Sequence, residues 1–520
     1  MKTESYKTGA AKLMVAGFIV RIFGFVNRIY MSNLLGAEGM GLFQLSSPVY
    51  SLIILTLTAG VSVTVSGMCA REMAKGERAN AIKITKSAFL LLLVSGSILA
   101  LGLGIFSKQI SVYILHDIRV RYSLIMLCPC IPIVASASAI KGYFYGTMRV
   151  TATAISQIVE QVIRIAVIFL VAPRVINESL EMACAIATVS AALGEMANLV
   201  VVGIAFLHDI AKNKTKKTTI TYKKSMAEIG KSSLPVSVNR LVLSCVGTME
   251  AILLPLRFAA GGLDTTSSLE MLGRISGMCM PLITFPTLVT SSLATTLVPA
   301  IAESTQKKDK QSTGRKINAS ITMSLLMGAG FFALFMIYGD KIGEFLYSGQ
   351  NVGPLLCAMS SCCIFIYLQQ VLSGIFHGLE KQTIHLFISL VGCGIRLGFI
   401  WFAVPTRGVD GYITGTIVSM LITTVISFLI IIRYTSVNFD FKNWVIKPAA
   451  IFFSVWISGN ILSRSRFSSG TPGFLFSVAI SCLTALCLLV TMSSNAELSM
   501  FSVKKRRSLH EENSNNNGRS

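Results

Sequence analysis

The chain has 520 residues, 53% of them apolar and 13% charged, with a mean hydropathy of +0.67, against about 25% charged residues in an ordinary soluble domain. A soluble chain of this length would divide into several domains with polar surfaces, and 46 basic plus 24 acidic residues cannot cover them. The net charge of +22 raises nucleic acid as a partner, but the basic residues lie between apolar runs and no zinc-finger, RNA-binding or heptad pattern accompanies them. What remains is an all-α membrane protein with many spans and no nucleic-acid role.

Fourteen runs approach the ~20 apolar residues that a spanning helix needs. The first, 11–31, contains Arg21, Asn27 and Arg28 and lacks a small-residue cleavage site, so a retained helix is expected rather than a removable signal peptide. The others follow near 46–68, 87–107, 122–144, 152–172, 183–207, 233–256, 277–300, 318–338, 354–376, 383–404, 411–432, 446–463 and 473–493. The twelve cysteines fall mostly inside these runs and none has zinc spacing, so neither a metal nor a cofactor is expected.

Lysine and arginine alternate across the runs. The N-terminal tail, the even-numbered loops and the C-terminal tail hold 31, the odd-numbered loops 10, and five remain inside spans. Short cytoplasmic loops carry the positive excess, which predicts both termini of this multi-pass protein in the cytoplasm. The longest connection on that side, 208–231, carries seven lysines. It reads as a joint between halves, facing anionic lipids. The tail, 501–520, ends in Asn and Ser and is too polar to bury anything, so disorder is expected.

An internal repeat organises the rest. At a constant offset of 232, Gly142 meets Gly374, Phe144 meets Phe376, Gly146 meets Gly378, Arg149 meets Lys381, Arg164 meets Arg396 and Pro173 meets Pro405. Pro48 and Pro281 agree at 233, and so do Lys83 and Lys316; Arg21 and Arg240 agree at 219, the difference taken up by a longer loop around 261–272. A repeat of six spans puts both copies in one orientation, related by an axis along the membrane normal, a signature of transporters that bind substrate near the bilayer middle. The expected division is an N-terminal six-helix lobe at 1–207, the basic linker at 208–231, a second six-helix lobe at 232–432, helices thirteen and fourteen at 433–500, and the tail at 501–520.

An arginine at the centre of a spanning helix costs about 2.5 to 3.5 kcal/mol on insertion scales, yet Arg21, Arg28, Arg164, Arg240 and Arg396 are retained. Arg21 and Arg28 are seven apart and share a helix face. Facing lipid they would be destabilising, so they are expected to line a hydrated cavity, with Asn27, Glu160, Asn239 and Glu250 as supporting polar groups. Guanidinium forks suit phosphates and carboxylates, which points to an anionic substrate. Glu160, four residues before Arg164, leaves internal neutralisation and substrate contact both open for that arginine. In the second copy Gly392 stands where Glu160 does, which makes Arg396 the better candidate for ligand contact. No Walker, GxSxG or HExxH sequence is present and the five histidines are scattered, so neither ATP drive nor an enzymatic centre is expected.

The run Arg21-Ile22-Phe23-Gly24-Phe25-Val26-Asn27-Arg28, followed by Leu35-Gly36-Ala37-Glu38-Gly39-Met40-Gly41-Leu42, resembles the opening of the polysaccharide-transporter branch of the multidrug/oligosaccharidyl-lipid/polysaccharide exporter superfamily, to which lipid II flippases are related. The resemblance implies a two-lobed, V-shaped bundle that flips an undecaprenyl-pyrophosphate-linked oligosaccharide across the plasma membrane by alternating access. It further implies a peptidoglycan precursor for spore cortex as cargo, a lipid-tail groove at the last two helices, and cell-wall synthesis enzymes as partners beside the lipid-linked anionic sugar. The chain departs from the flippase pattern at Asn27-Arg28, where Arg-Asp is usual, and its second span has no arginine, so the pyrophosphate-gripping arginine does not transfer. The alternative is a cation-coupled multidrug exporter on the same fold, for which the acids Glu160, Glu195 and Glu250 would matter most. A membrane enzyme would want large outer loops, and those here are short; a scaffold for cell-wall enzymes is the third rival.

Overall fold

The computed structural model describes residues 6–175, 179–212, 220–306, 309–435, 437, 439–464 and 470–492. The tail at 501–520 and Lys214, Lys216 and Lys217 of the basic connection lie outside them. Among the described residues the ordered elements are all helical, in the order α1 (Tyr6–Ala74), α2 (Arg78–Gln109), α3 (Val120–Leu127), α4 (Cys130–Gly146), α5 (Thr151–Val175), α6 (Leu180–Lys212), α7 (Tyr222–Ala260), α8 (Thr265–Leu272), a π turn (Gly273–Cys279), α9 (Met280–Thr284), α10 (Thr287–Gln306), α11 (Lys310–Leu346), α12 (Gly353–Met359), α13 (Cys362–Gly378), α14 (Gln382–Phe402), α15 (Val404–Arg407), α16 (Val409–Tyr434), α17 (Lys447–Arg464) and α18 (Gly470–Met492). Two further π turns follow α2 and precede α17.

Among the described residues ten helices are long and apolar enough to cross a membrane, or eleven if α12 and α13, bent by 54° at a short break, form one span. The chain is therefore a multi-pass membrane protein. Lipid exposure shows on α2, where Leu90, Val94, Ile98, Leu101 and Ile105 stand 48–70% exposed at the three-to-four-residue spacing of one helix face. The first helix is a special case. Its 69 residues would run about 104 Å if straight, more than twice the thickness of a bilayer. The backbone breaks at Gly36, whose φ of 68° and ψ of −175° lie in territory open to glycine and strained for other residues. Both of the first two apolar runs therefore belong to this one bent element.

Packing divides the chain into two compact units, Met1–Pro281 and Leu282–Ser520. The core of the first gathers Val65, Ile140 and Phe144, and the core of the second gathers Leu297, Leu372 and Phe376, the same positions displaced by 232. Close helix contacts repeat at that offset too. A Cβ on Gly146 would lie 2.4 Å from the Ser66 carbonyl oxygen, and one on Gly378 would lie 3.1 Å from that of Val298. A Cβ on Gly96 would meet the Pro132 Cα at 2.9 Å, and one on Gly328 the Ile364 Cα at 2.7 Å. Small residues at such places let backbones approach where lipid offers no hydrophobic drive between helices. The first unit also takes in α7, α8 and the π turn, because they pack on α1.

Candidate functional site

Within the first unit, the bend at Gly36 lays residues 37–44 of α1 against α8 and the π turn. The contact is reciprocal. A Cβ on Gly41 would fall 2.1 Å from the Leu269 carbonyl oxygen, and a Cβ on Gly273 would fall 1.9 Å from that of Ala37. Gly41 and Gly273, like Ala37 and Leu269, are 232 apart, so the same two positions of the sequence repeat meet from both sides of the contact.

The π turn carries one residue more than the matching stretch of α1, and this is why Pro48 and Pro281 pair at 233 rather than 232. In the turn, the Met280 N–H donates to the Ile275 carbonyl, five residues back. The next donor would be residue 281, a proline with no N–H. Ser276 O loses that donor in the π register and Gly277 O loses it in the α register. Side chains replace it. Arg28 Nη2 donates to Ser276 O at 3.0 Å and Nε to Gly277 O at 3.1 Å, while Gln44 Nε2 donates to Ser276 O at 2.8 Å. Arg28 is half-buried and spends these donors on backbone. Its neighbour Asn27 is buried and donates to Met31 Sδ at 3.8 Å, leaving its Oδ1 buried with no hydrogen-bond partner.

A cavity of about 340 Å³ opens between the second half of α1, α7 and the π turn, lined by Gln44, Ser47, Pro48, Ser51, Ser244, Gly247, Thr248, Ala251, Leu272 and Ser276. Its polar groups are uncharged.

Arg164 lies apart from this place. On α5 it donates to Glu160 Oε1 at 2.8 Å and sits 3.7 Å from Glu195 Oε1 of α6. Asn198 Nδ2 donates to the other Glu160 oxygen at 2.6 Å. Internal neutralisation, one of the two readings left open for Arg164, has its partners in place. Gly194 makes room for this by packing against the Glu160 carbonyl, 2.9 Å from where a Cβ would stand. Arg21 and Arg240 are both exposed, Glu250 is half-buried on α7, and the Asn239 side chain lies outside the described residues. Arg396, on α14 of the second unit, is half-buried and directs Nη2 to Cys393 Sγ at 3.4 Å. The structure thus brings Glu160 and Arg164 together; Arg28 and Arg164 stand in separate networks, and Arg396 is described in its own unit only.

Two clusters were not anticipated. Between α2 and α3, Arg119 is 2.6 Å from Glu38 and 2.8 Å from Asp117; its hydrogen bonds to Asp117, and then to Glu38, hold the guanidinium above its ordinary pKa. At the far end of α6, Asp209 accepts from Arg78, from Arg149 and from the Tyr143 hydroxyl, the last at 2.7 Å. The Asp209 pairings join residues 60 to 131 positions apart, so no local spacing announces them. Gln44 and Gly247 were also missed, although the matched prolines at 48 and 281 mark where backbone carbonyls lose a donor.

The chain is 25% identical over 484 residues to stage V sporulation protein B of Bacillus subtilis, covering 90% of this chain and 92% of that protein. It is also 25% identical over 461 residues to the lipid II flippase MurJ of the same species, 83% of each. Among solved structures, a lipid II flippase MurJ in an inward closed conformation aligns with a TM-score of 0.68 at 11% identity, over 94% of this chain and 99% of that one. An inward-facing multidrug resistance transporter of the MATE family, in the MOP superfamily, aligns with a TM-score of 0.59 at 15% identity, over 80% and 98%. These likenesses establish a shared fold. The family model described as polysaccharide biosynthesis protein matches residues 7–305, more than half of the sequence, and the chain belongs to that family.

Proposed function

We propose that the protein is a flippase that moves an undecaprenyl-pyrophosphate-linked oligosaccharide across the plasma membrane by alternating access. The observation that carries this reading is the similarity, over more than four fifths of both chains, to a protein named as a lipid II flippase. Arginines retained within membrane-spanning sequence suit an anionic linkage. The similarity to stage V sporulation protein B supports a peptidoglycan precursor of spore cortex as the cargo, with cell-wall synthesis enzymes as partners and anionic lipids at the basic loops.

The architecture proposed for this task has fourteen crossings, two six-helix lobes at 1–207 and 232–432, two further helices, and both termini in the cytoplasm. To the ten apolar helices, the bend in α1 adds one crossing and the α12–α13 pair another. The shorter apolar helix Pro472–Ala485 and the interrupted stretch from the π turn through α10 complete fourteen. The contacts repeated at offset 232 support the two lobes, and the asymmetry of 31 against 10 basic residues supports the orientation. A cation-coupled exporter is the second reading, favoured by one observation: Glu160 and Glu195 stand together beside Arg164 inside the membrane-spanning helices α5 and α6. Headgroup accessibility of a lipid-linked sugar in vesicles with and without the protein tests the first reading against the second.

A further inference from the structure

The reciprocal contact between residues 37–44 and 269–276 gives each feature on one side a counterpart on the other, and one pair is broken. Arg28 reaches the carbonyls that Pro281 leaves without a donor. The counterpart of Pro281 is Pro48. The counterpart of Arg28, at the offset of 219 that joins Arg21 to Arg240, is Gly247. On that side no guanidinium fills the notch, and the 340 Å³ cavity lies there, with Gly247 and Pro48 both in its wall. A Cβ placed on Gly247 meets nothing within 4 Å. Gly247 thus stands in the cavity wall at the repeat position that Arg28 holds in the other copy.

Its chemistry selects a ligand. The polar lining consists of Gln44, Ser47, Ser51, Ser244, Thr248 and Ser276. Among the described residues no lysine, arginine, histidine or carboxylate lines it, so an anionic group would find no counter-charge there. Thr248 Oγ1 donates to Ser244 O at 2.9 Å and to Pro48 O at 3.3 Å, and an alkyl chain would leave the remaining hydroxyls against apolar surface, which is costly away from water. Hydroxyls both donate and accept, and Gln44 commits its Nε2 to Ser276 O, which turns the acceptor end of the amide to other uses. Pro48 supplies no N–H to Gln44 O, so the wall is also short of a backbone donor. An uncharged group that carries many hydroxyls matches such a wall, and the volume lies within the ~300–1,000 Å³ of small-molecule sites. We propose that this cavity is a saccharide subsite that receives a neutral sugar ring of the cargo. The proposal rests on the lipid-linked sugar reading and adds to it a place for the glycan.

The test uses the full chain in detergent with two probes, undecaprenyl pyrophosphate with and without an attached disaccharide. Gly247→Leu fills the cavity into open space, and the double variant Ser51→Ala/Ser244→Ala strips hydroxyls without filling it; Gly67→Ala, on a glycine with equally open surroundings, is the control, and thermal unfolding verifies that each variant folds. The wild-type chain is expected to prefer the sugar-bearing probe by roughly tenfold, the worth of about one net hydrogen bond, and both cavity variants to reduce that preference below about twofold while the control keeps it. Equal binding of the two probes by the wild type, or an undiminished preference in both cavity variants, overturns the subsite and leaves the flippase reading standing. Binding of neither probe by the wild type overturns both.

Discussion

Replacing Arg28 tests whether a guanidinium stands in for the N–H that Pro281 lacks. In Arg28→Ala, Ser276 O keeps its hydrogen bond from Gln44 at 2.8 Å, whereas Gly277 O, in a buried residue, loses the donor that stood at 3.1 Å. Leaving a buried acceptor unsatisfied costs about 1–3 kcal/mol, so a loss of about 2 kcal/mol is expected. At roughly 2–4 °C per kcal/mol for a unit of this size, thermal unfolding in detergent followed by circular dichroism should begin about 4–8 °C lower. Arg28→Lys keeps the charge but not the fork and should lose about half as much. Pro281→Ala restores a backbone donor to the turn. In that background Arg28→Ala should cost less than about 1 kcal/mol, and the double-mutant cycle should return a coupling of at least about 1 kcal/mol. Equal shifts with and without the proline would refute the substitution of side chain for backbone.

Glu160→Ala removes an acceptor from both Arg164 and Asn198 and should destabilise by about 3–5 kcal/mol, as when one partner of a buried pair is lost; Glu195→Ala, whose contact is 3.7 Å, should cost less than half as much, and the reverse order in an unfolding series would contradict the assignment. Gly273→Ala drives a Cβ to within 1.9 Å of the Ala37 carbonyl oxygen, so it should cost at least about 2 kcal/mol through forced backbone movement. Gly67→Ala meets open space and should be neutral or stabilising by up to about 1 kcal/mol from helix propensity, a difference that thermal unfolding of the two variants reads directly.

Much of the helical organisation is legible in the sequence because a bilayer imposes one demand, about 20 apolar residues per crossing, on every span. The repeat offset of 232 is legible for a related reason: Gly142 and Gly374, or Gly146 and Gly378, are held small by backbones that pass within contact of them. The pairing of Glu160 with Arg164 follows from their spacing of four on one helix. The partners of Arg28 do not follow in that way. They are carbonyl oxygens, which every residue has, and only the absence of an N–H at Pro281 distinguishes them. The slip from 232 to 233 at the prolines is the trace in sequence of a π turn, since such a turn is the insertion of one residue into a helix. The hubs at Arg119 and Asp209 depend on helices meeting in space, and neither hydropathy nor charge counting carries that information. Gly247 is an ordinary glycine in an apolar run until its counterpart is recognised as Arg28.

Translocation of a lipid-linked sugar is measured most directly by the accessibility of the sugar headgroup to a membrane-impermeant reagent in proteoliposomes. With the intact protein, the fraction of undecaprenyl-pyrophosphate-linked disaccharide that is accessible should rise from the outer-leaflet share toward the whole pool, and Arg28→Ala and Arg396→Ala should each abolish the rise. Accessibility that stays at the level of protein-free vesicles would contradict translocation, and a rise undiminished in both arginine variants would contradict the part given to the arginines.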